Sequence, residues 1–227
     1  MDLFLTSVSE SVKDIPALKK LINKNTKLIV LPFAHDFKWL ASAEDVYKKY
    51  SRDYNSTESI FYKTVKPFTD IGIDLNNIIV INRFTDPIKL IKYKLLSDNT
   101  IVFLPGGRPE NIMIILKELN LINTIKKCNV VVGESAGSMI WSKHYFVYPD
   151  PDYDKYRCFK GLGLIKNCVF IPHCTKDNYK HIIESARKFT KFHRREPIYL
   201  VDDGGWIHYN KQKEIVGYNK AIRYKRY

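Results

Sequence analysis

The residues that decide the fold are Val-Val-Val-Gly-Glu-Ser-Ala-Gly, at positions 130–137. The apolar run predicts a buried strand, and the serine between two glycines predicts a sharp turn from that strand into a helix. Gly133 and Gly137 are expected where side chains would collide with neighbouring backbone in so tight a turn. Ser135 would expose its hydroxyl at a helix N-terminus, where free amides stabilise an oxyanion. The stretch indicates a serine nucleophile for acyl transfer; a strand-to-helix turn without chemistry is the alternative.

Outside this stretch, short apolar runs alternate with helical segments, a pattern typical of parallel strands connected by helices and covered on both faces. The predicted strands are Leu3–Thr6, Lys27–Pro32, Ile78–Asn82, Thr100–Leu104, Asn129–Val132, Val169–Ile171 and Ile198–Val201. The predicted helices are Ser9–Asn23, Ala41–Tyr50, Pro87–Leu96, Pro109–Leu119, Ser135–Lys143 and Asn178–Lys191. We therefore expect one α/β domain over residues 1–227, with a mostly parallel sheet and helices on both faces.

Two segments depart from this alternation. Phe146–Gly163 contains two prolines and several tyrosines and predicts a long irregular loop, a kind of segment that usually has a function or is mobile. In the tail, Trp206–Tyr209, Glu214–Gly217 and Ala221–Tyr224 predict short antiparallel strands, with a hairpin turn at positions 210–212.

The composition limits the classes of partner. The formal net charge is +13, but the lysines and arginines are spread along the chain and no nucleic-acid motif accompanies them, so we expect a solvated basic surface and no nucleic-acid partner. No apolar run reaches the roughly 18–20 residues that span a bilayer, which predicts no membrane partner. The N-terminus lacks a basic segment followed by an apolar one, so we expect a cytoplasmic protein.

The four cysteines, at positions 128, 158, 168 and 174, form no C-x-x-C pair and do not have the spacing of a zinc site with the histidines. We expect reduced, mostly structural thiols and no metal.

A serine nucleophile needs a base, and the base needs an acid that orients it. Among six histidines, His173 follows the apolar run Val169–Ile171. This predicts that it lies at the carboxyl edge of a parallel strand, the same edge as Ser135, where ligands gather in open α/β sheets. A histidine that only closes a loop is the alternative.

Asp202 and Asp203 follow the last predicted strand, Ile198–Val201, and provide two candidate acids. Because side chains alternate along a strand, only one of them is expected to reach the imidazole. The two glycines that follow make an Asp-Gly turn without a catalytic role equally consistent with the pattern.

The glycine pair Gly106-Gly107 follows the strand before the nucleophile strand and would supply a second oxyanion donor beside the amide of Ala136. Arg108 could hold a substrate carboxylate by two parallel hydrogen bonds. A plain strand-to-helix turn, with Pro109 at the first helical position, is the alternative.

In this order, the motifs resemble peptidase family S51 of serine peptidases, which includes peptidase E (α-aspartyl dipeptidase) and cyanophycinase. The resemblance covers most of the chain. The residues that carry it are Gly106-Gly107 with Asn111 and Leu116, Gly133–Ser138, Pro172-His173 with Asp177-Asn178, and Asp203-Gly204 with Trp206-Ile207.

The resemblance implies a flavodoxin-like fold related to class I glutamine amidotransferases, a Ser-His-Asp/Glu triad, and no metal or organic cofactor. It implies Ser135 as nucleophile, His173 as base, and Asp203 as the orienting acid, with Asp202 as second choice. The oxyanion donors would be the amides of Gly107 and Ala136. The expected substrate-binding residues are Arg108, Asn111 and Glu134.

The predicted function is hydrolysis of a small peptide or related amide, dipeptidase-like, by a monomer or homodimer. Arg108-Pro109-Glu110 and the loop after His144 depart from the family pattern and leave the substrate side chain open. One alternative is an α/β-hydrolase esterase, whose order of serine, acid and histidine would be met by Ser135, Asp177 and His208. The other is an inactive basic binding protein on the same scaffold.

Overall fold

The computed structural model describes residues 1–35, 41–50, 60–194 and 196–224. The strands are β1 Asp2–Thr6, β2 Lys27–Val30, β3 Ile78–Val80, β4 Thr100–Leu104, β5 Val130–Glu134, β6 His144–Val147, β7 Arg157–Lys160, β8 Val169–Ile171, β9 Ile198–Tyr209 and β10 Ile215–Arg223. The helices are α1 Pro16–Lys19, α2 Ala43–Lys49, α3 Ile60–Asp70, α4 Ile88–Leu96, α5 Pro109–Glu118, α6 Ile122–Ile125, α7 Ala136–Met139 and α8 Tyr179–Phe192, with 3₁₀ turns at Ser9–Asp14 and Leu75–Asn77.

An 8-stranded sheet forms the centre, in the order β3-β2-β4-β5-β1-β9-β10, with β8 also paired to β9. The strands from β3 to β1 are all parallel. β9 runs antiparallel to β1 and forms an antiparallel pair with β10. The predicted α/β class, with a mostly parallel sheet and a C-terminal antiparallel pair, is confirmed.

The sheet is covered on both faces. Within β1, Leu3 and Leu5 pack in one core with residues of α4, α5 and α7, whereas Phe4 packs in a second core with residues of α2 and α3. Successive side chains of a strand point to opposite faces, so every position of such a strand is buried. This explains why the central strands are continuous apolar runs in the sequence.

The first predicted helix, Ser9–Asn23, is wrong as a single element. Pro16 divides it into a 3₁₀ turn, Ser9–Asp14, and the short helix α1. Because a proline disfavours helical backbone in the residue before it, Ile15 is extended, with φ −101° and ψ 96°. Pro16 then occupies the first turn of α1, where its missing amide costs nothing.

The helix after the serine is also shorter than the predicted Ser135–Lys143. It ends at Met139, because the following carbonyls bond to another segment of the chain. The carbonyls of Ile140 and Trp141 accept hydrogen bonds from the amides of Leu162 and Leu164, at 2.6 and 3.1 Å. These bonds replace the next helical turn and lead the chain into β6.

The segment predicted as an irregular loop, Phe146–Gly163, is a hairpin over much of its length. β6 and β7 pair antiparallel, with Phe146 opposite Cys158, and form their own two-stranded sheet. The first strand of the hairpin, β6, is mostly buried, and packing of its aromatic side chains orders the hairpin. The prolines and aspartates of the turn made the segment look irregular in the sequence.

The tail contains two long strands instead of three short ones. β9 runs without a break from Ile198 to Tyr209 and therefore includes Asp203, which the sequence placed at a strand end. The pairing of β9 with β10 passes from Val201–Ala221 directly to Trp206–Asn219, so the Asp-Asp-Gly-Gly segment forms a bulge between two paired parts of β9. Gly204 within this bulge is left-handed, with φ 81°. The helices α3 and α6 were not predicted.

In the part of the chain that the structure describes, no helix combines the length and apolar character that crossing a bilayer requires.

Two buried side chains fasten the end of β1 to the turn after β5. Ser138 Oγ donates to the carbonyl of Gly133 at 2.7 Å and accepts from the amide of Thr6 at 3.0 Å. The hydroxyl of Thr6 donates to the same carbonyl at 3.0 Å. Removal of either hydroxyl would leave buried backbone groups without their partners.

We predict that Ser138→Ala lowers the free energy of unfolding by about 1–3 kcal/mol, the usual cost of unpaired buried polar groups. Urea denaturation measures it. The matched control is Ser142→Ala, because Ser142 is equally buried but its hydroxyl has no hydrogen-bond partner among the described residues. The control should be as stable as the wild type or more so; equal losses in both variants would contradict the role of Ser138.

Candidate active site

Ser135 lies on a strained turn between β5 and α7. Its backbone has φ 47° and ψ −110°, a combination that non-glycine residues rarely adopt. A Cβ on Gly133 would lie 2.4 Å from the carbonyl oxygen of Gly137, and a Cβ on Gly137 would lie 2.0 Å from that of Leu104. Neither position accepts a side chain, so the two glycines have the steric role that the sequence analysis gave them.

The side chains of Ser135, His173 and Asp203 form a continuous hydrogen-bonded chain. Ser135 Oγ lies 3.0 Å from His173 Nε2, and His173 Nδ1 lies 2.7 Å from Asp203 Oδ1. The imidazole is 38% exposed and the carboxylate 47%, so water and small solutes reach both. An imidazole that is held between a hydroxyl and a carboxylate can take the hydroxyl proton while the carboxylate fixes its tautomer.

His173 reaches Ser135 by a route that differs from the predicted one. β8 is parallel to β9, which runs antiparallel to β1, so β8 points opposite to β5 and the two do not share a carboxyl edge. β1 and β8 lie on the same side of β9, and their ends approach each other. The amide of Ser7 donates to Gly205 O at 3.1 Å, and that of Cys174 donates to Val201 O at 3.0 Å.

Ser7 occupies this junction and was not predicted as a site residue. Its hydroxyl donates to Asp203 Oδ1 at 3.0 Å and accepts from the backbone amide of His173 at 2.8 Å. It therefore links the acid to the backbone that carries the imidazole. A serine after a strand is too common for its position alone to indicate such a role.

The backbone of His173 is left-handed, with φ 56°, and is held from both sides. Ser7 binds its amide, and the side-chain amide of Asn178 donates to its carbonyl. Asn178 in turn accepts from the amide of Thr175 at 3.0 Å. Such strained conformations persist where surrounding bonds over-determine them.

Of the two candidate acids, Asp203 is the one that contacts the imidazole. The carboxylate of Asp202 accepts from the backbone amide of Asp203 at 2.8 Å. In the esterase alternative the base would be His208, but its Nε2 lies 3.2 Å from Asp2 Oδ1 and its ring stacks on Phe4. The structure joins Ser135 to His173 instead.

The glycine pair lies beside the serine. A Cβ on Gly106 would be 3.3 Å from Ser135 Cβ, and Gly107, with φ 133°, leaves only 2.6 Å between a Cβ and the carbonyl oxygen of Ala34. Among the described residues, none accepts a hydrogen bond from the amide of Gly107 or of Ala136. Both amides are available to a ligand.

Glu134 connects the glycine pair to the serine turn. Its two carboxylate oxygens accept from the amides of Gly106 and Ser9, both at 3.2 Å. Burial raises the pKa of the Glu134 carboxyl, and the two backbone hydrogen bonds counteract part of that rise. Glu134 contributes to the wall of the cleft and also holds Gly106 in place.

The other two expected substrate-binding residues are occupied by contacts within the protein. The guanidinium of Arg108 lies over the ring of Tyr153, 5.8 Å from its centroid. The amide of Asn111 is buried and donates to the carbonyl of His35 at 2.9 Å. Neither residue is part of the lining of the cleft beside Ser135.

This cleft has a volume of about 240 Å³ and contains Ser135, His173 and both glycines in its walls. The turn between β6 and β7 forms the opposite wall and contributes Tyr148, Asp150, Asp152 and Tyr153. The turn is braced by Tyr153, whose hydroxyl donates to Glu110 Oε2 at the start of α5, at 2.7 Å. The wall of the cleft opposite Ser135 is therefore built by a segment that was predicted as an irregular loop and that forms a hairpin.

The cleft is acidic although the whole chain is basic. Glu134, Asp150 and Asp152 line it, and among its described lining residues none is a lysine or arginine. Asp150 Oδ1 accepts from the amides of Asp152 and Tyr153, both at 2.8 Å. Burial raises the pKa of the Asp150 carboxyl. Among the described residues, the basic surface therefore does not extend into the cleft.

The sequence profile of Peptidase family S51 matches residues 3–216, so the chain belongs to that family. The protein is a serine-peptidase-type hydrolase, as the resemblance of the motifs predicted.

The solved structures that resemble the fold include two described as peptidases. One is a protein from Listeria monocytogenes EGD-e described as a peptidase E, with a TM-score of 0.62 and 18% identity, covering 99% of this chain and 98% of its own. The other is a peptidase from an acI-B1 Actinobacterium, with a TM-score of 0.59 and 19% identity, covering 95% and 87% respectively. A comparison with curated protein sequences gave no match.

The position of Ser7 makes a prediction for Ser7→Ala. One hydrogen bond contributes about 0.5–1.5 kcal/mol, and about 1.4 kcal/mol is a tenfold change in rate. We therefore expect Ser135 to react about three- to tenfold more slowly with a fluorophosphonate, measured by the time course of labelling.

The matched control for this experiment is Ser11→Ala, because Ser11 is also buried but its hydroxyl lacks a hydrogen-bond partner within the described residues. The control should react at the wild-type rate. Labelling of Ser7→Ala at that rate would show that Ser7 does not position the imidazole.

Proposed function

We propose that this protein hydrolyses a peptide bond, or a related amide bond, in a small substrate through an acyl-enzyme on Ser135. The observation that carries the proposal is the chain of hydrogen bonds from Ser135 through His173 to Asp203, at 3.0 and 2.7 Å, which opens into a cleft. Membership of peptidase family S51 supports the same reaction class.

In the first step, Ser135 Oγ attacks the substrate carbonyl and its proton moves to His173 Nε2. Asp203 accepts a hydrogen bond from Nδ1, which leaves Nε2 as the basic nitrogen and stabilises the imidazolium. The imidazolium then protonates the leaving amine. Water attacks the acyl-enzyme in the second step, with His173 again as base, and Ser135 regains its proton.

The negative charge of the tetrahedral intermediate would be held by the amides of Gly107 and Ala136. Gly107 borders the cleft and Ala136 directly follows the nucleophile. The loss of one such donor typically costs about 3–4 kcal/mol of transition-state stabilisation. Because α7 has only 4 residues, its dipole adds little, and these two amides carry the electrostatic role.

The size of the cleft favours a short substrate. Sites for drug-sized ligands are typically about 300–1,000 Å³, and this cleft has about 240 Å³. The β6–β7 turn forms a wall on one side of the cleft and limits the length of a substrate there. The geometry therefore supports the dipeptidase-like activity implied by the sequence resemblance.

We predict that Ser135→Ala lowers kcat roughly 10⁴-fold or more on any dipeptide that the wild type cleaves, because no other group can form the acyl-enzyme. Mass spectrometry should find a fluorophosphonate adduct on Ser135 in the wild type and none in the variant. The two proteins should have the same thermal midpoint.

Three results would contradict the proposed function. Turnover by Ser135→Ala close to the wild-type rate would reject Ser135 as nucleophile. A wild type that turns over p-nitrophenyl esters but no peptide would favour the esterase alternative, and a folded wild type that does not react with the probe would favour the binding protein.

The acidic cleft makes a prediction about substrate charge. Dipeptides with a lysine or arginine side chain should have a higher kcat/KM than matched dipeptides with aspartate or glutamate, because Asp150 and Asp152 attract the cation. Partly exposed charge pairs contribute up to about 1 kcal/mol, so Asp152→Asn should reduce this ratio about two- to fivefold.

The preference should weaken with added salt. The matched control is Asp154→Asn, which changes an exposed aspartate of the same hairpin outside the cleft lining. A wild-type preference for aspartyl dipeptides would contradict the proposed role of Asp150 and Asp152.

A further inference from the structure

A second cluster of chemically active side chains lies outside the cleft. His144 Nδ1 is 2.6 Å from Glu196 Oε1, and His193 Nδ1 is 3.4 Å from the same oxygen. The three side chains are only 13–21% exposed. A surface ion pair consists of one cationic group and one carboxylate. Here two imidazoles face the same carboxylate oxygen in a partly buried site.

The ring of His193 is fixed by its neighbours. It stacks on Phe189, with ring centroids 4.4 Å apart, and lies 4.3 Å from the ring of His144. Its Nε2 is 3.7 Å from Cys158 Sγ, within range of a weak N–H···S hydrogen bond. A proton held on Nε2 leaves the lone pair of Nδ1 directed toward Glu196, the arrangement that outer partners impose on metal-binding histidines.

We propose that His144, His193 and Glu196 form a binding site for a divalent transition-metal ion of the zinc class. Two imidazole nitrogens and one carboxylate oxygen are a common zinc ligand set, and water would complete the tetrahedron. All three donor atoms lie within 4.8 Å of one another.

The distances fit this ion. Zinc–ligand bonds of about 2.0–2.2 Å place tetrahedral donors roughly 3.4 Å apart. The pair His193–Glu196 already has this separation. The pair His144–Glu196 is closer because the two atoms share a proton, and it needs to open by less than about 1 Å when the metal replaces that proton.

The ion would join three segments of the chain. His144 begins β6, His193 follows α8, and Glu196 precedes β9. β6 leads into the turn that lines the cleft, and β9 carries Asp203. A metal ion bound here would therefore hold that turn in a fixed position relative to Asp203. The ligands are separated by up to 52 residues, which explains why a search for short metal motifs does not find them.

The experiment uses the full chain, stripped with a chelator and kept reduced. Competition with a chromophoric chelator should show one Zn²⁺ per chain, with a rise in thermal midpoint as binding stabilises the folded state. Co²⁺ should give the visible d–d absorption of a tetrahedral site. His193→Gln and Glu196→Gln should each weaken Zn²⁺ binding by about 100-fold or more and abolish the rise.

Two control variants exclude other histidines. His181→Gln changes an exposed histidine of the same helix, α8, and His173→Gln changes the imidazole beside Ser135; both should bind Zn²⁺ like the wild type. The absence of stoichiometric binding in the wild type would overturn the proposal. Unchanged affinity in Glu196→Gln, or a loss confined to His173→Gln, would do the same.

Discussion

The meeting of β1 and β8 on one side of β9 is the constraint on which the site depends. β1 is antiparallel to β9 and β8 is parallel to it, so the segments that follow β1 and β8 run toward each other. Ser7 and His173 are the residues at these two ends, and both bind Asp203. The residues of β9 before and after Asp203 are paired to neighbouring strands, which fixes the backbone of the acid. Its side-chain hydrogen bonds add to this.

The serine turn is the second constraint, and it meets the first through β1. The amide of Ser135 donates to the carbonyl of Thr6 at 2.9 Å, one residue before Ser7. Thr6, the last residue of β1, and Ser7 directly after it therefore position the nucleophile and the acid.

The central strands could be predicted because burial on both faces gives each a continuous apolar run. Thr100–Leu104 and Val169–Ile171 were predicted with the bounds that they have in the structure. The direction of β8 could not be predicted, since an apolar run does not say which neighbour it pairs with. The segment at 202–205 has the composition of a turn, but the residues on both sides of it, Val201 and Trp206, pair with β10 and keep the chain running as one strand.

The site residues that lie next to apolar strands could be predicted. Those that depend on contacts between segments distant in the sequence could not. Ser135, His173 and Asp203 each follow or interrupt an apolar run, and the structure joins them. Ser7 binds across 196 residues of sequence, and a lone serine gives no pattern for such a contact. Arg108 lies against Tyr153 because of a hairpin whose second strand, Arg157–Lys160, is mostly exposed and so leaves no apolar run in the sequence.

Within the described part of the chain, the hairpin of β6 and β7 pairs with no strand of the central sheet. Insertions, deletions and substitutions in its turn consequently leave the register of every central strand as it is. Mutations confined to that turn can therefore change which substrates related proteins accept, while the residues that break the bond stay the same during evolution.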